Sequence, residues 1–191
     1  MQVLQDYYTE LMKKNGPQDT TYAVLYDAKD ADYISSLDPD TLFSLIYQKS
    51  PIFKAISKAD DIVTFPGLSY CMQLILGLQT TRFTFMCAGS SPIVADPFRQ
   101  TLVAEASSRI NMSTSGSMTR SGQALRFVGN FPASFQTITV SESGVNTTST
   151  PNTGILLNRN QFSSSDIVHV SGVTAFTLAS LITFSSVTTW L

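Results

Sequence analysis

The chain has 191 residues and a formal net charge of −2. That length suits one domain with a sizeable core, so we predict a single domain over residues 1–191. Only 14% of the residues are charged, against about a quarter in an ordinary globular protein. The sequence has no dense basic region of the kind that binds phosphates, so direct nucleic-acid binding is not expected.

The charges divide the chain into two chemically different parts. All six lysines lie within residues 1–66 and all six arginines within residues 67–191. The first part has 10 acidic and 6 basic residues, a net charge of −4. The second has 4 acidic and 6 basic residues, a net charge of +2, and 37 of its 125 residues are Ser or Thr. We predict a helix-containing N-terminal segment over 1–66 and a Ser/Thr-rich β-sandwich over 67–191.

Residues 2–14 have the pattern of a short amphipathic helix that ends at Asn15-Gly16-Pro17. Its apolar side chains form one stripe at helical spacing: Val3, Leu4, Tyr7, Tyr8, Leu11 and Met12. A helix this short is unstable alone in water. The stripe is therefore a candidate interface, either with the chain's own sandwich or with a neighbouring subunit.

The same segment lacks the basic and apolar regions of a signal peptide, so we expect a soluble chain made without one. No apolar run reaches the roughly 20 residues of a membrane-spanning helix, so no membrane partner is expected.

The next elements read as one strand followed by a small helical insertion. Thr20–Tyr26 is short, β-branched and aromatic, which predicts a strand. Asp38-Pro39 supplies an N-cap and a first-turn proline for a helix through about Gln48. Pro51 predicts a further helical turn or two through about Lys58, so that the insertion covers about 38–58.

From Ile62 onward, short β-branched and aromatic runs alternate with clusters of Gly, Pro, Asn and Ser. The predicted strands are Arg82–Ala88, Thr101–Ser107, Ala124–Val128, Ser134–Val140, Asp166–Ser171 and Val173–Phe184. Residues 70–78 fit either a strand or a helix, and Gly77 weakens the helix. The polar stretches 113–122 and 141–154 are predicted to be loops, disordered or ordered only against a partner. The predicted fold class is mainly β, an antiparallel β-sandwich or jelly roll.

Residues able to carry chemistry are few. His169 is the only histidine and lies within an alternating strand, with no GxSxG nucleophile motif elsewhere. We predict a structural histidine, exposed or at a subunit contact. Cys71 and Cys87 lie in apolar segments and are predicted to be buried free thiols, although a disulfide between them is possible. No catalytic, cofactor-binding or metal-binding residues are predicted, so we predict that the chain is not an enzyme.

Two further groups of residues have competing interpretations. Asp27, Asp30 and Asp32 do not match the spacing of a calcium-binding loop. They predict a solvated acidic turn, with a single weak cation site as the alternative. Phe127, Phe131 and Phe135 lie four residues apart, but the glycine and proline between them break a helix. We interpret them as core residues or interface anchors around a turn.

The segment Asp166-Ile167-Val168-His169-Val170-Ser171-Gly172-Val173 resembles the closing strands of jelly-roll coat proteins of small icosahedral viruses. The Ser/Thr-rich, charge-poor strands from residue 82 onward agree with that family. The resemblance implies a structural subunit of a capsid or virion, assembled with copies of itself or with other particle subunits into a shell or a surface projection. It also implies a possible host receptor or glycan as a partner.

The chain departs from many such proteins because it has no basic N-terminal arm, so genome packaging is not implied. Its two helical regions near the N-terminus also differ from the usual opening. The alternative is a carbohydrate- or receptor-binding β-sandwich module of the complement or tumour-necrosis-factor type. In that module, loops 113–122 and 141–154 would form the contact surface.

Overall fold

The structure is a computed structural model that describes residues 17–93, 96–162 and 167–184. These ranges are mainly β, with short helices between the early strands. The strands are β1 Gln18–Asp27, β2 Phe53–Val63, β3 Phe85–Gly89, β4 Ile110–Asn111, β5 Gly116–Ser121, β6 Ala124–Phe131, β7 Ile138–Thr139, β8 Glu142–Asn146, β9 Leu156–Gln161, β10 Val168–His169 and β11 Thr174–Thr183. The helices are α1 Ala31–Ser36, α2 Pro39–Tyr47 and α3 Phe65–Ile75, with a 3-10 turn at Ala28–Asp30.

Nine of these strands form one antiparallel sheet in the order β4-β3-β8-β9-β2-β1-β11-β6-β5. The short strands β7 and β10 pair separately. The centre of the large sheet joins β1 and β2, from the lysine-containing part, to β9 and β11, from the arginine-containing part. The two chemically different parts of the chain therefore share one sheet.

The sheet curls until its two halves face each other. Its edge strands β4 and β5 are consecutive in the chain, separated only by residues 112–115. A β-carbon added at Gly129 of β6 would lie 2.6 Å from Cβ of Met86 in β3, so the two halves are in direct contact. Glycine at this position allows that close approach. The result is the sandwich-like antiparallel arrangement that the sequence predicted.

The main core lies between the facing halves of the sheet. The rings of Phe131 and Phe176 stack with centroids 4.3 Å apart, and Phe135 meets Phe131 edge-on at 5.0 Å. Phe127 belongs to the same buried cluster. The structure therefore places all three predicted phenylalanines in the core of their own chain.

A second apolar cluster lies on the outer face of β1 and β11, beneath α1 and α2. Val24 and Ala179 of the sheet pack there with Leu42 and Phe43 of α2. Asp38 caps α2 by accepting a hydrogen bond from the backbone N–H of Thr41 at 3.0 Å. The helix predicted from the Asp38-Pro39 signal is thereby confirmed.

The predicted helical turns from Pro51 to Lys58 are wrong, because residues 53–63 form strand β2. Along the described side chains of β2, Phe53, Ser57 and Ala59 are buried, whereas Lys54 and Lys58 on the other face are not. This period of two is the strand signal. The buried residues near its middle, Ser57 and Ala59, are small, and the Lys and Ala residues around them favour a helix. The alternation typical of a strand was therefore not recognised in the sequence.

Several other boundaries differ from the predictions. Thr101–Ser107 is not a strand and contributes only an isolated bridge between Glu105 and Gly89. Ser134–Val140 shrinks to the two residues of β7. The ambiguous stretch 70–78 belongs largely to helix α3. The predicted strands at 20–26, 82–88, 124–128 and 173–184 are confirmed within a few residues as β1, β3, β6 and β11.

The predicted N-terminal helix, with its stripe Val3, Leu4, Tyr7, Tyr8, Leu11 and Met12, lies outside the described residues, as does Asp166. Among the residues that the structure does describe, no helix has the length and apolar character needed to cross a membrane.

Candidate assembly surface

Helix α3 contains no charged residue along its 11 positions. It begins at Thr64, whose Oγ1 accepts a hydrogen bond from the N–H of Gly67 at 3.0 Å. The same hydroxyl donates to the carbonyl of Leu156 in β9. A β-carbon added at Gly67 would lie 2.5 Å from the carbonyl oxygen of Leu157. The absence of a side chain there lets the first turn of α3 rest directly on β9.

One side of α3 is partly buried against the main core through Leu68, Cys71 and Leu74. Met72 and Ile75 in the last turns of the helix are exposed, as are Leu76 and Leu78 in the chain that follows. We define the α3 patch as Met72, Ile75, Leu76, Leu78 and Phe184. Their exposed fractions are 59%, 84%, 69%, 68% and 40%, respectively. Contiguous exposed apolar side chains commonly mark an interaction surface, so the α3 patch is a candidate contact surface.

The end of α3 holds the patch in a defined shape. Gly77 adopts the left-handed conformation with φ = 71°. Its N–H donates to Leu74 O at 3.1 Å, and the N–H of Leu78 donates to Gln73 O at 2.9 Å. These two bonds form a Schellman motif, which usually brings the residue after the glycine into apolar contact with the last helical turn. Leu78 is instead exposed, so its apolar side chain is available to a partner.

A groove of about 560 Å³ connects the patch to the turn between β5 and β6. Its lining comprises Ile75, Arg120, Gly122, Gln123, Ala124, Leu125 and Phe184. The N–H of Phe184 donates to Gln123 O at 3.0 Å, which ties the end of β11 to this turn. Arg120 is the one charged residue among these lining residues. Apolar contact is therefore the main interaction that the groove offers.

Strand β5 borders this groove and forms an edge of the large sheet. Among the described residues it pairs with β6 alone. Thr119, Arg120 and Ser121 are exposed, and Met118 is exposed on the face that it shares with Phe127 of β6. An unpaired strand edge beside an apolar patch is a surface that another chain can extend.

His169 is buried, which corrects the prediction of an exposed or subunit-contact histidine. Its Nε2 lies 3.0 Å from the carbonyl oxygen of Phe135, and its Nδ1 lies 3.2 Å from Oγ1 of Thr174. A carbonyl can only accept, so Nε2 carries the proton and Nδ1 accepts from the threonine hydroxyl. Both nitrogens of the ring are thus engaged in structural hydrogen bonds inside the core.

The two cysteines are free thiols, as predicted, but only Cys87 is buried, whereas Cys71 is half-buried. Burial raises the pKa of both thiols, because a thiolate is poorly solvated in an apolar environment. Neither sulfur therefore has the low pKa of a reactive nucleophile.

The acidic stretch after β1 does not converge on a common point. Asp27 forms an ion pair with Lys54, whose Nζ lies 2.5 Å from its carboxylate. Asp32 is exposed at the start of α1. Across the part of the chain that the structure describes, no group of three or more His, Cys, Asp or Glu side chains is placed to hold a metal ion.

The predicted polar loops are largely ordered structure, which corrects the prediction that they are disordered or ordered only against a partner. Residues 116–121 form β5, and residues 142–146 form β8, all five of which are buried. The exposed residues beyond β8 are anchored by Arg109, whose Nη1 donates to the carbonyls of Thr148 at 2.8 Å and Thr153 at 3.1 Å. A polar stretch of sequence resembles a loop, but here residues distant in the chain provide the hydrogen-bond partners that allow these polar groups to lie inside the fold.

The α3 patch was not predicted from the sequence. Residues 70–78 fitted either a strand or a helix, and the predicted interface residues were the N-terminal stripe and the three phenylalanines. One signal was present in the sequence: Phe65–Leu78 has no charged residue and carries apolar side chains over most of the helical circumference, with Ser69 and Gln73 on the remaining side. That pattern indicates a helix covered on more than one side.

Comparisons with models of protein families, with curated proteins and with solved structures found no significant match to this chain or its fold.

Proposed function

We propose that this chain is a non-enzymatic structural protein that assembles with copies of itself, or with other subunits, into a particle shell or a surface projection. The observation that carries the proposal is the α3 patch. Five large apolar side chains are exposed at one end of the sheet: two on the uncharged helix α3, two in the chain that follows it and one just after β11. Burying one side chain of this size contributes about 1.5–3 kcal/mol, so covering the patch would contribute strongly to association.

The charge distribution supports the same proposal. Residues 67–191 carry 10 charged residues in 125 positions. Neighbouring subunits with so few charges meet little electrostatic repulsion, and a net charge close to zero favours association. Ser and Thr side chains keep such surfaces hydrated until a partner covers them.

Within this class, we assign the chain to the structural proteins of a virion. This finer assignment rests on the resemblance of the closing strands to viral coat proteins. In the structure, the short strand β10 is followed by a turn at Ser171-Gly172 and then by the long strand β11. That order is compatible with an alternating strand, a Val-Ser-Gly step and a final apolar strand.

We expect the purified chain to form assemblies larger than a monomer at micromolar concentration, measured by light scattering and native mass spectrometry. The double variant Ile75→Glu/Leu78→Glu places two carboxylates on the α3 patch and should shift the mass toward the monomer. The physical reason is that carboxylates cannot enter an apolar contact without losing hydration.

The matched control is Gln79→Glu/Thr80→Glu, which adds the same charge to exposed polar positions that follow the patch. This control should assemble like the unmodified chain. An unmodified chain that stays monomeric across the concentration range would overturn the proposed function. Equal assembly of both double variants would show that the patch is not the contact.

A further inference from the structure

We propose that strand β5 pairs antiparallel with β5 of a second copy, so that two curled sheets join into one continuous sheet across a twofold axis. This inference rests on the proposed function and names the partner and the contact. Natural edge strands are usually protected from such pairing by shortness, Pro, charged side chains or a bulge. Strand β5 has six residues, Gly116–Ser121, with no Pro and a regular register against β6, and Arg120 is its one charged residue. The opposite edge of the sheet, β4, has only two residues.

The hydrogen-bonding pattern determines which backbone groups of β5 are available. Two residues, Gly122 and Gln123, connect Ser121 to its cross-strand partner Ala124. At the other end, the N–H of Asn130 donates to Ser115 O at 2.8 Å, so that pair is a hydrogen-bonded one. Hydrogen-bonded pairs alternate along an antiparallel ladder. The odd-numbered residues of β5 therefore bond to β6, and the even-numbered residues direct their N–H and C=O groups outward.

Three residues thus offer outward backbone groups: Gly116, Met118 and Arg120. A twofold axis through Met118 pairs Met118 with itself and Gly116 with Arg120 of the second copy. Every outward group then finds a partner, giving about six hydrogen bonds, two for each hydrogen-bonded pair. Moving the axis to Thr119 would place Gly116 opposite Gly122, which has φ = 57° in the turn and is not extended.

The side chains are compatible with the same register. Each Arg120 faces Gly116 of the other copy, which has no side chain to exclude it. Its Nε donates to Gly122 O of its own turn at 3.1 Å, so the guanidinium is held back toward that turn. The two arginines would lie four residues apart along the ladder, about 13 Å, which exceeds the screening length of about 8 Å at physiological ionic strength.

The apolar side chains extend the contact. Met118 would meet Met118 of the second copy at the axis, on the sheet face that also carries Arg120 and its cross-strand neighbour Leu125. Arg120 and Leu125 line the groove beside Ile75. Pairing of the β5 edges would therefore bring two α3 patches to the same seam.

This register can be tested with charged substitutions on the other face of β5. Ser117 and Thr119 would lie opposite each other across the seam, Ser117 of one copy facing Thr119 of the other. The variant Ser117→Lys/Thr119→Lys places lysine opposite lysine and should reduce the assembly to half its mass or less. The matched variant Ser117→Lys/Thr119→Glu places lysine opposite glutamate and should assemble like the unmodified chain.

A backbone variant tests the same seam independently. Met118→Pro removes an N–H that does not bond to β6, and Met118→Ala keeps it. Both variants lose the methionine contact at the axis, so the proline variant should dissociate much more than the alanine variant. Circular dichroism and amide exchange in β6 would check that every variant remains folded.

The outcomes separate this inference from the proposed function. A monomeric unmodified chain overturns both. An unmodified chain that assembles, with neither Met118→Pro nor the double lysine variant reducing its mass, overturns the β5 seam alone. Dissociation of the lysine–glutamate variant also overturns it, because the axis would then not pass through Met118.

Discussion

Replacement of Glu142 with leucine is expected to lower the free energy of unfolding by about 3–5 kcal/mol, the usual loss when one partner of a buried ion pair is removed. Glu142 is fully buried in β8 and accepts a hydrogen bond from Arg159 Nε at 2.9 Å. It also accepts from the backbone N–H groups of Val103 at 3.1 Å and Ala104 at 2.7 Å. Without the carboxylate, the buried guanidinium of Arg159 and the two backbone amides would lose this acceptor.

The double variant Glu142→Leu/Arg159→Met is the control for this prediction. It removes both charges together, and such replacements are often neutral or even stabilising. Urea unfolding followed by circular dichroism should therefore show a larger loss in the single variant than in the double. A single variant that loses less than about 1 kcal/mol would contradict the view that this pair fastens residues 103–104 to the sheet.

Replacement of Phe176 with alanine is expected to destabilise the chain by about 3–5 kcal/mol, because the ring leaves a cavity at the centre of the core. Phe176 is fully buried in β11. Its ring stacks on Phe131 at 4.3 Å and lies 5.8 Å from Phe135 and 5.2 Å from His169, measured between ring centroids.

Phe184, at the end of the same strand, is the matched control. It belongs to the α3 patch and is 40% exposed, so Phe184→Ala should cost the monomer about 1–2 kcal/mol, less than Phe176→Ala. Its larger effect should be on assembly. Thermal unfolding should therefore rank Phe176→Ala as the more destabilising variant, and light scattering should rank Phe184→Ala as the one that weakens assembly more. Equal loss of monomer stability in both would contradict the division of β11 into a core part and an exposed apolar end.

The elements predicted correctly carry their signal in neighbouring residues. Strand β1 is a compact β-branched and aromatic run, and α2 begins with an Asp-Pro cap. Strand β11 is a run of 10 residues that includes β-branched and aromatic side chains and no Gly or Pro. In each case the pattern of a few adjacent side chains matches the structure that the backbone adopts, so tertiary contacts only reinforce it.

Strands β8 and β9 show why other elements could not be predicted. Asn158 is buried and donates to Asp19 Oδ2 at 2.6 Å and to Ser180 Oγ at 3.1 Å. Its partners lie 139 and 22 residues away in the chain. Buried polar groups need hydrogen-bond partners, and in this case those partners come from β1 and β11. The polar composition of residues 141–154 therefore predicted a loop, where the fold places the interior strand β8, and β9 was not among the predicted strands.

The exposure of the predicted interface residues likewise depends on the tertiary structure. The spacing of Phe127, Phe131 and Phe135 indicated important apolar residues, but the sequence left open whether they face a core or a partner. The structure places them in the core, since the sheet curls over them. The outward side of α3 remains exposed because that helix crosses one end of the sheet, from β9 to the turn between β5 and β6.

The sequence by itself determined the β-rich character, the cap that begins α2, the low charge of the second part of the chain and the scarcity of catalytic side chains. These properties depend on composition and on near neighbours. Only the tertiary structure decided which polar residues are buried and which apolar residues remain exposed. Both depend on contacts between strands that are far apart in the chain. The fold decides which groups lie against a side chain, and therefore whether that side chain is buried and hydrogen-bonded or exposed.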